Sequence, residues 1–171
     1  MAATPLIFRL AQARDAAPIA IMSRELVEVG LGWRYDADHI RRLILDADTV
    51  VLVAGHHERI AGFAIMEFGD QRAHLVLLAV EPAYRRRGTG RRMIEWLLES
   101  AATAGIASIH LELRAGNPAA RDFYRALGFA DTLMMPGYYR GQESAIRMVR
   151  VLRATAPSLV PWQVLLDRRR W

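Results

Sequence analysis

The sequence predicts an α/β protein of one domain, built on a mixed, mostly antiparallel central sheet with helices on both faces. Three observations carry this. First, three apolar, β-branched runs follow one another with only short polar breaks: TVVLVA (49–54), IAGFAIMEF (60–68) and AHLVLLAV (73–80). Strands joined so briefly pair antiparallel. Second, the third run leads into a glycine-containing turn, a long amphipathic stretch and SIHLELR (108–114). That strand–helix–strand step needs a right-handed parallel crossover. Third, 171 residues at 53% hydrophobic suit one domain with a full core.

The elements follow in order. LIFRLA (6–11) alternates and opens the fold as a strand. Asp15 stands where it would cap a helix running to about Val29, with Ile19, Met22, Leu26 and Val29 on one face and Gly30 as the stop. The loop GLGWRY (30–35) leads to Asp36, the cap of a short second helix carrying Ile40, Leu43 and Ile44. GHHER (55–59) and GDQ (69–71) are the turns between the three strands. After RRRGTG (85–90) a helix extends from about Thr89 to Ala104, burying Met93, Leu97, Ala101 and Ala104, with Arg91 placed to pair with Glu95. Gly105 ends it. In SIHLELR, Ile109, Leu111 and Leu113 face one way, and His110, Glu112 and Arg114 the other. NPAARDFYRALG (117–128) has Asn117 as cap, Pro118 at the first helical position and Gly128 as stop. Phe123 and Leu127 give its apolar side, with Tyr124 off to one side. A turn around MMPGYYRG and a final strand SAIRMVRVL (144–152) complete a domain over residues 1–153, followed by a C-terminal tail, 154–171, with two prolines and a charged end.

Composition removes several classes of function. There is no Cys, so disulfides, thiolate metal sites and a Cys nucleophile are excluded. No apolar run reaches the roughly 18 residues of a membrane span, and the first residues lack a secretory pattern. The expectation is a cytoplasmic protein without a membrane partner. His56 and His57 in GHHER lack an evident third ligand, so that stretch reads as a polar turn and no metal is expected. The net charge is +5, and all 23 basic residues are Arg. That reflects either genome composition or an anionic partner. A nucleic-acid binder would interleave aromatic residues with its basic stretches, and these do not, so nucleic acid is not expected.

The location of the charge is more informative. Five arginines fall within residues 85–92, around Gly88 and Gly90, where a strand ends and a helix begins. A helix N-terminus offers free N–H groups and the positive end of its dipole, which together bind phosphate. The G-x-G-x-x-G fingerprint fails, because Met93 holds its third position, and the triphosphate loop fails for want of Lys. What remains is R-x-x-G-x-G, formed by Arg85, Gly88 and Gly90.

LLAVEPAYRRRGTGRRMIEWLLESAATAG followed by HLELRAGNPAARDFYRALGF resembles the GNAT superfamily of acetyl-coenzyme A dependent N-acetyltransferases. R-x-x-G-x-G after a V-x-P strand end is similar to that family's coenzyme A pyrophosphate motif. N-x-x-A-x-x-F-Y-x-x-x-G-F over 117–129 is similar to its second cofactor and catalytic segment. The resemblance covers about residues 5–153. Within the superfamily, LELRAGNPAARDFYRALGF and GYYRGQESAIRMVRVL look most like the ribosomal-protein-alanine N-acetyltransferases, the RimI subfamily. GLGWRYDAD lacks the usual proline-rich approach to the acceptor, and the tail is additional; both departures concern the acceptor rather than the cofactor. The resemblance implies a GNAT-type sheet with a splayed parallel strand pair at the cofactor site and acetyl-CoA as co-substrate. It implies that Leu78, Ala79 and Val80 line the pantetheine and acetyl carbonyl, and that Arg85, Arg86, Arg87, Gly88, Thr89, Gly90 and Arg91 surround the pyrophosphate. It further implies that Asn117 meets the pantetheine arm, with Ala120 and Phe123 on the same segment, and that Tyr138 and Tyr139 line the acceptor pocket. Trp33 is a further acceptor-side residue.

Acyl transfer from a thioester to an amine needs a neutral amine, a polarised carbonyl and a proton for the departing thiolate. Without Cys, direct attack in a ternary complex is the economical route. Tyr124 is the expected proton donor, since a phenol with pKa about 10 matches a thiolate in basicity. Glu112 is the expected base, with His74 as its rival. The acceptor expected is a primary amine, foremost a protein N-terminus, including one on a ribosomal protein. A small-molecule amine acetyltransferase and a non-catalytic coenzyme A binding module are the alternatives. Trp162 and Trp171 could dock the tail on the sheet or on a second copy of the chain, which leaves a homodimer open.

Overall fold

The computed structural model describes residues 5–56 and 59–153. In chain order they form β1 (Ile7–Leu10), α1 (Ala16–Leu26), α2 (Ala37–Leu45), β2 (Thr49–His56), β3 (Arg59–Phe68), β4 (Arg72–Val80), α3 (Thr89–Thr103), β5 (Ser108–Arg114), α4 (Pro118–Ala126), β6 (Ala130–Tyr139) and β7 (Glu143–Val151). The strands make one seven-stranded sheet in the order β1-β2-β3-β4-β5-β7-β6. The short connections make β2, β3 and β4 an antiparallel meander. Helix α3 carries the chain back so that β5 lies parallel to β4. Strand β7 inserts antiparallel between β5 and β6. The expected α/β class and mixed sheet are therefore observed.

Two irregularities shape the sheet at its centre. Parallel pairing between β4 and β5 is confined to Arg72–His74 against Ser108–His110. Beyond it, β4 continues along β3 as far as Val80, and β5 continues along β7 as far as Arg114. The two inner edges diverge and leave a wedge. Within β4, Leu75 pairs with Met66 and Leu77 with Ile65, so Val76 is an extra residue, a β-bulge. It changes which face the strand presents. Ala73 and Leu75 pack with α3 and α4, whereas Leu77 and Ala79 pack with α1 and α2.

Each face carries its own core. On one, Met93, Ile94, Leu97 and Ala101 of α3 meet Ile109, Leu111 and Leu113 of β5. On the other, Ile19 and Ala20 of α1 and Ile40 of α2 meet Val51, Val53, Phe63 and Ile65. Phe63 is wholly inaccessible, and truncating such a residue to Ala costs about 3–5 kcal/mol. No helix among the described residues is long and apolar enough to cross a membrane.

Several sequence expectations are corrected. Helix α1 ends at Leu26 rather than Val29, because the buried Glu28 carboxylate accepts from Ser23 Oγ and from the Arg34 and Tyr35 amides and pulls the chain out of register. Asp15 does not cap α1 with its side chain; its carboxylate accepts from Arg9 and from the Gln12 amide instead. Ala104 is exposed beyond the end of α3. The turn expected around MMPGYYRG is strand: β6 runs to Tyr139, and only residues 140–142 turn. Pro136 is accommodated there because β6 is an edge strand with irregular pairing from Met135 to Tyr139. Asp36 and Asn117 cap α2 and α4 as expected, at 2.8 and 3.1 Å. His57, Trp162, Trp171 and the tail 154–171 lie outside the described residues.

Candidate active site

The turn from β4 to α3 is held open by its backbone. Gly88 precedes α3 with φ 78°, and Arg86 also adopts a left-handed φ of 60°. This conformation suits glycine and strains other residues. No side chain caps α3, and the first intrahelical bond is Arg92 N–H to Gly88 O. The amides of Thr89, Gly90 and Arg91 therefore have no intrahelical acceptor. The Thr89 hydroxyl donates to Tyr84 O, which fixes the turn from below. Gly90 has a second reason to lack a side chain: a Cβ there would stand 3.3 Å from Phe123 Cζ.

The arginines divide into groups. Arg85 folds back to donate to Val80 O at 2.8 Å. Arg91 lies 3.5 Å from Glu95 on the outer face of α3. The Arg92 guanidinium sits 4.4 Å above the Phe8 ring. Arg86 and Arg87 are exposed beside the free amides. Leu78, Ala79 and Val80 edge the wedge, directly before the turn.

Across the wedge stands α4. The Asn117 side-chain oxygen is used by the Ala120 amide, which leaves its NH2 free to donate outward. Tyr124, not Phe123, is the buried aromatic, reversing the expected order on this helix. It packs edge-on between Phe123 and Phe129, with ring centroids at 5.1 and 5.6 Å. Burial, with a smaller contribution from Tyr139, pushes the Tyr124 phenol well above its ordinary pKa.

The opposite face of β5 carries a polar cluster. Since Leu111 and Leu113 point to the α3–α4 core, Glu112 between them points to the α1–α2 side. It does not pair with Arg114. Glu112 Oε2 meets His74 Nε2 at 2.7 Å, and Oε1 accepts from Arg147 Nε at 2.7 Å. Burial pushes the carboxyl up, but the bonds from His74 and Arg147 outweigh it and hold its pKa at about 2. The His74 and His110 rings stack 4.5 Å apart and nearly parallel, because their positions are paired in the β4–β5 register. Burial and then His74 push the His110 pKa down, favouring the neutral ring. Sequence reading placed His110 and Glu112 on one face. It missed Arg147, whose only signal was its place on a polar alternation in SAIRMVRVL.

Two loops flank this face. Arg114 donates to Val29 O at 2.6 Å, Val27 O at 3.4 Å and Glu143 at 2.9 Å, and its guanidinium lies 5.6 Å from the Tyr139 ring centroid. It thereby ties the α1–α2 loop to the β6–β7 hairpin. Tyr139 is half-buried and Tyr138 exposed; their rings meet edge-on. The Tyr139 phenol is pushed up to about 12, by burial first and then by Tyr138 and Glu112. Trp33 is fastened to α1 through Nε1 to Ala20 O and lies under Arg24, so it is part of the loop's anchoring.

The sheet, the wedge and the turn define an acyltransferase-type architecture, and the comparisons identify the family. The chain belongs to the GNAT acetyltransferase family, whose sequence profile matches residues 20–129. It is 39% identical over 94 residues to a [ribosomal protein bS18]-alanine N-acetyltransferase of Salmonella typhimurium, covering 53% of this chain and 64% of that protein. The match to the Escherichia coli counterpart covers 63% of its length, so the aligned stretch spans just under two thirds of these curated relatives. In structure, the chain resembles the ribosomal-protein-S18-alanine N-acetyltransferase from Escherichia coli, with TM-score 0.77 and 25% identity over 90% of this chain and 98% of the other. It shares its fold with Arabidopsis thaliana NAA60, solved in complex with acetyl-CoA, with TM-score 0.77 and 17% identity over 87% of this chain and 99% of the other.

Proposed function

We propose that the protein is an acetyl-CoA dependent N-acetyltransferase that modifies a primary amine, foremost the α-amine of a protein N-terminus. The observation that carries this is the wedge between β4 and β5, with uncapped amides at its mouth, a buried phenol on one side and a paired imidazole and carboxylate on the other. The pyrophosphate would lie on the amides of Thr89, Gly90 and Arg91, with Arg85, Arg86 and Arg87 supplying charge and Gly88 the open backbone. The pantetheine arm would run along Leu78, Ala79 and Val80, opposite Asn117, Ala120 and Phe123.

The amine nitrogen attacks the acetyl carbonyl carbon directly, the C–S bond breaks, and the thiolate takes a proton from Tyr124. Burial raises this phenol above the basicity that would match a free thiolate, so the transfer relies on the same apolar surroundings raising the thiolate beside it. The amine's proton leaves on the other face, through His74 and Glu112. A carboxyl held at about 2, with both oxygens engaged, retains a proton poorly. Glu112 therefore positions His74 and stabilises the imidazolium, while the free ring nitrogen of His74 accepts the proton. Tyr138, Tyr139 and the α1–α2 loop around Trp33 would flank the acceptor. The 39% identical relative named as a ribosomal-protein-alanine N-acetyltransferase favours a peptide amine over a small molecule.

The test is acetyl transfer by the full chain to a panel of amines that includes Ala-starting peptides, followed by free thiol and product mass. Acetylation of the peptide α-nitrogen supports the reading. Preference for polyamines or amino acids replaces it with the small-molecule one, and no thiol release with any amine leaves only coenzyme A binding.

A further inference from the structure

We infer that His74, His110 and Glu112 form a binding site for a divalent transition-metal ion of the zinc type, and that its occupancy blocks acetyl transfer. One ligand atom from each residue lies within 4.8 Å of the other two. Two imidazoles and one carboxylate are a donor set that zinc accepts in sites that keep a further position open.

The backbone builds the set. His74 and His110 are opposed in the last parallel pair before the strands splay, and Glu112 follows two residues along β5 on the same face. The stacked rings, 4.5 Å apart, set two imidazole edges side by side, and a turn of one ring out of the stack brings both lone pairs onto a single ion. Arg147 occupies only Oε1 of Glu112 and holds the carboxylate so that Oε2 faces His74. The Glu112 side chain is 6% exposed and that of His74 32%, so the set is fixed on one side and reachable from the other. Ligands bonded at about 2.0–2.1 Å around a tetrahedral ion stand roughly 3.3 Å apart. The 2.7 Å contact between His74 Nε2 and Glu112 Oε2 must therefore open slightly. An ion entering there replaces the His74–Glu112 hydrogen bond and takes the Nε2 lone pair, so the neutral ring carries its proton on the other nitrogen and can no longer accept one from the amine. This inhibitory consequence rests on the proton-transfer role proposed above; the binding itself does not.

The binding test uses the full chain without acetyl-CoA, titrated with Co2+. The expected result is one equivalent bound with the intense visible absorption of four-coordinate cobalt, displaced by Zn2+. His110→Gln should weaken binding at least about tenfold, equivalent to about 1.4 kcal/mol, whereas His39→Ala on α2 leaves it intact. Undiminished four-coordinate cobalt in His110→Gln overturns the site. As a check that needs no variant, Zn2+ should shift the imidazole resonances of His74 and His110 but not His39; a shift of His39 without the other two overturns it. In the transfer assay, Zn2+ should inhibit wild type reversibly to chelator and leave His110→Gln at its own metal-free rate; inhibition that persists in the variant overturns the consequence. A protein that binds cobalt here yet acetylates no amine loses the proposed function and keeps this site. Acetylation without cobalt binding does the reverse.

Discussion

Replacing Glu112 by Gln is the most informative single change, because its effect on stability follows from the geometry before any substrate is known. Gln has the shape of the protonated carboxyl. The substitution should therefore cost what protonation costs. The carboxyl falls from an ordinary 4.5 to about 2 in the folded state, which at about 1.4 kcal/mol per pH unit corresponds to about 3 kcal/mol. With a side chain only 6% exposed, solvent screening removes little of this. The sign is fixed by linkage. A depressed carboxylate stabilises the folded state fully above its unfolded pKa, and loses that contribution as pH falls through the folded one. Wild type should thus exceed Glu112→Gln by about 3 kcal/mol in urea unfolding at pH 7, and the gap should shrink between pH 4.5 and 2. A difference that stays constant over that window, or one below about 0.5 kcal/mol at pH 7, would refute the charge-assisted network of His74, Glu112 and Arg147.

Tyr124→Phe should lower kcat by about 10²–10⁴-fold with little change in the KM for acetyl-CoA; unchanged thiol release removes the acid role. Because burial raises the Tyr124 phenol, the wild-type pH–rate profile should show no loss from its ionisation below about pH 10, and an alkaline limb below that which disappears in Tyr124→Phe would contradict the assignment. Gly90→Ala, whose Cβ would lie 3.3 Å from Phe123 Cζ, should cost about 1 kcal/mol and raise the KM for acetyl-CoA while sparing the acceptor KM. Arg114→Ala releases the Val27 and Val29 carbonyls and Glu143; the acceptor KM should rise and the acetyl-CoA KM should not, as steady-state kinetics in both substrates will tell.

What could be read from the sequence was what depends on local patterns. The three-strand meander, α3 and β5 follow from alternation and turn chemistry within a few residues of each element. The β4–α3 turn was legible because its glycines and arginines are contiguous. The misreadings have a common origin in distant partners. Val29 continues the helical period of α1, and only the buried Glu28 carboxylate, reaching the Arg34 and Tyr35 amides, ends that helix early. Pro136 and Gly137 are turn residues by local rules, yet β6 lies at the sheet edge and tolerates both. The choice between Phe123 and Tyr124 turns on a small rotation of a nine-residue helix, which the apolar period alone does not fix. The pairing of His74 with Glu112 needs the β4–β5 register, and Arg147 needs the insertion of β7 beside β5.

On the roles proposed for Tyr124 and His74, the bulge and the splay place the two proton transfers on different faces of one opening. In a regular pair, the side chains lining a gap alternate strictly, and a donor and an acceptor reached from one strand would share a face or be separated by the intact sheet. Here the strands part after His74 and His110, so a reacting group in the wedge is open to both faces at once. Tyr124 belongs to the α3–α4 core, whereas His74, Glu112 and Arg147 belong to the α1–α2 side. The extra residue at Val76 turns Leu77 and Ala79 toward α1 and α2, leaving Leu78 against the α3–α4 core as β4 reaches the wedge. A proton taken from the amine on one face has no hydrogen-bonded path to the phenol on the other among the described residues, except near Tyr139, which raises the Tyr124 phenol and is itself raised by Glu112. Under the proposed mechanism, amine deprotonation and thiolate protonation therefore fall on different surfaces, with acceptor and cofactor on opposite sides of the same opening.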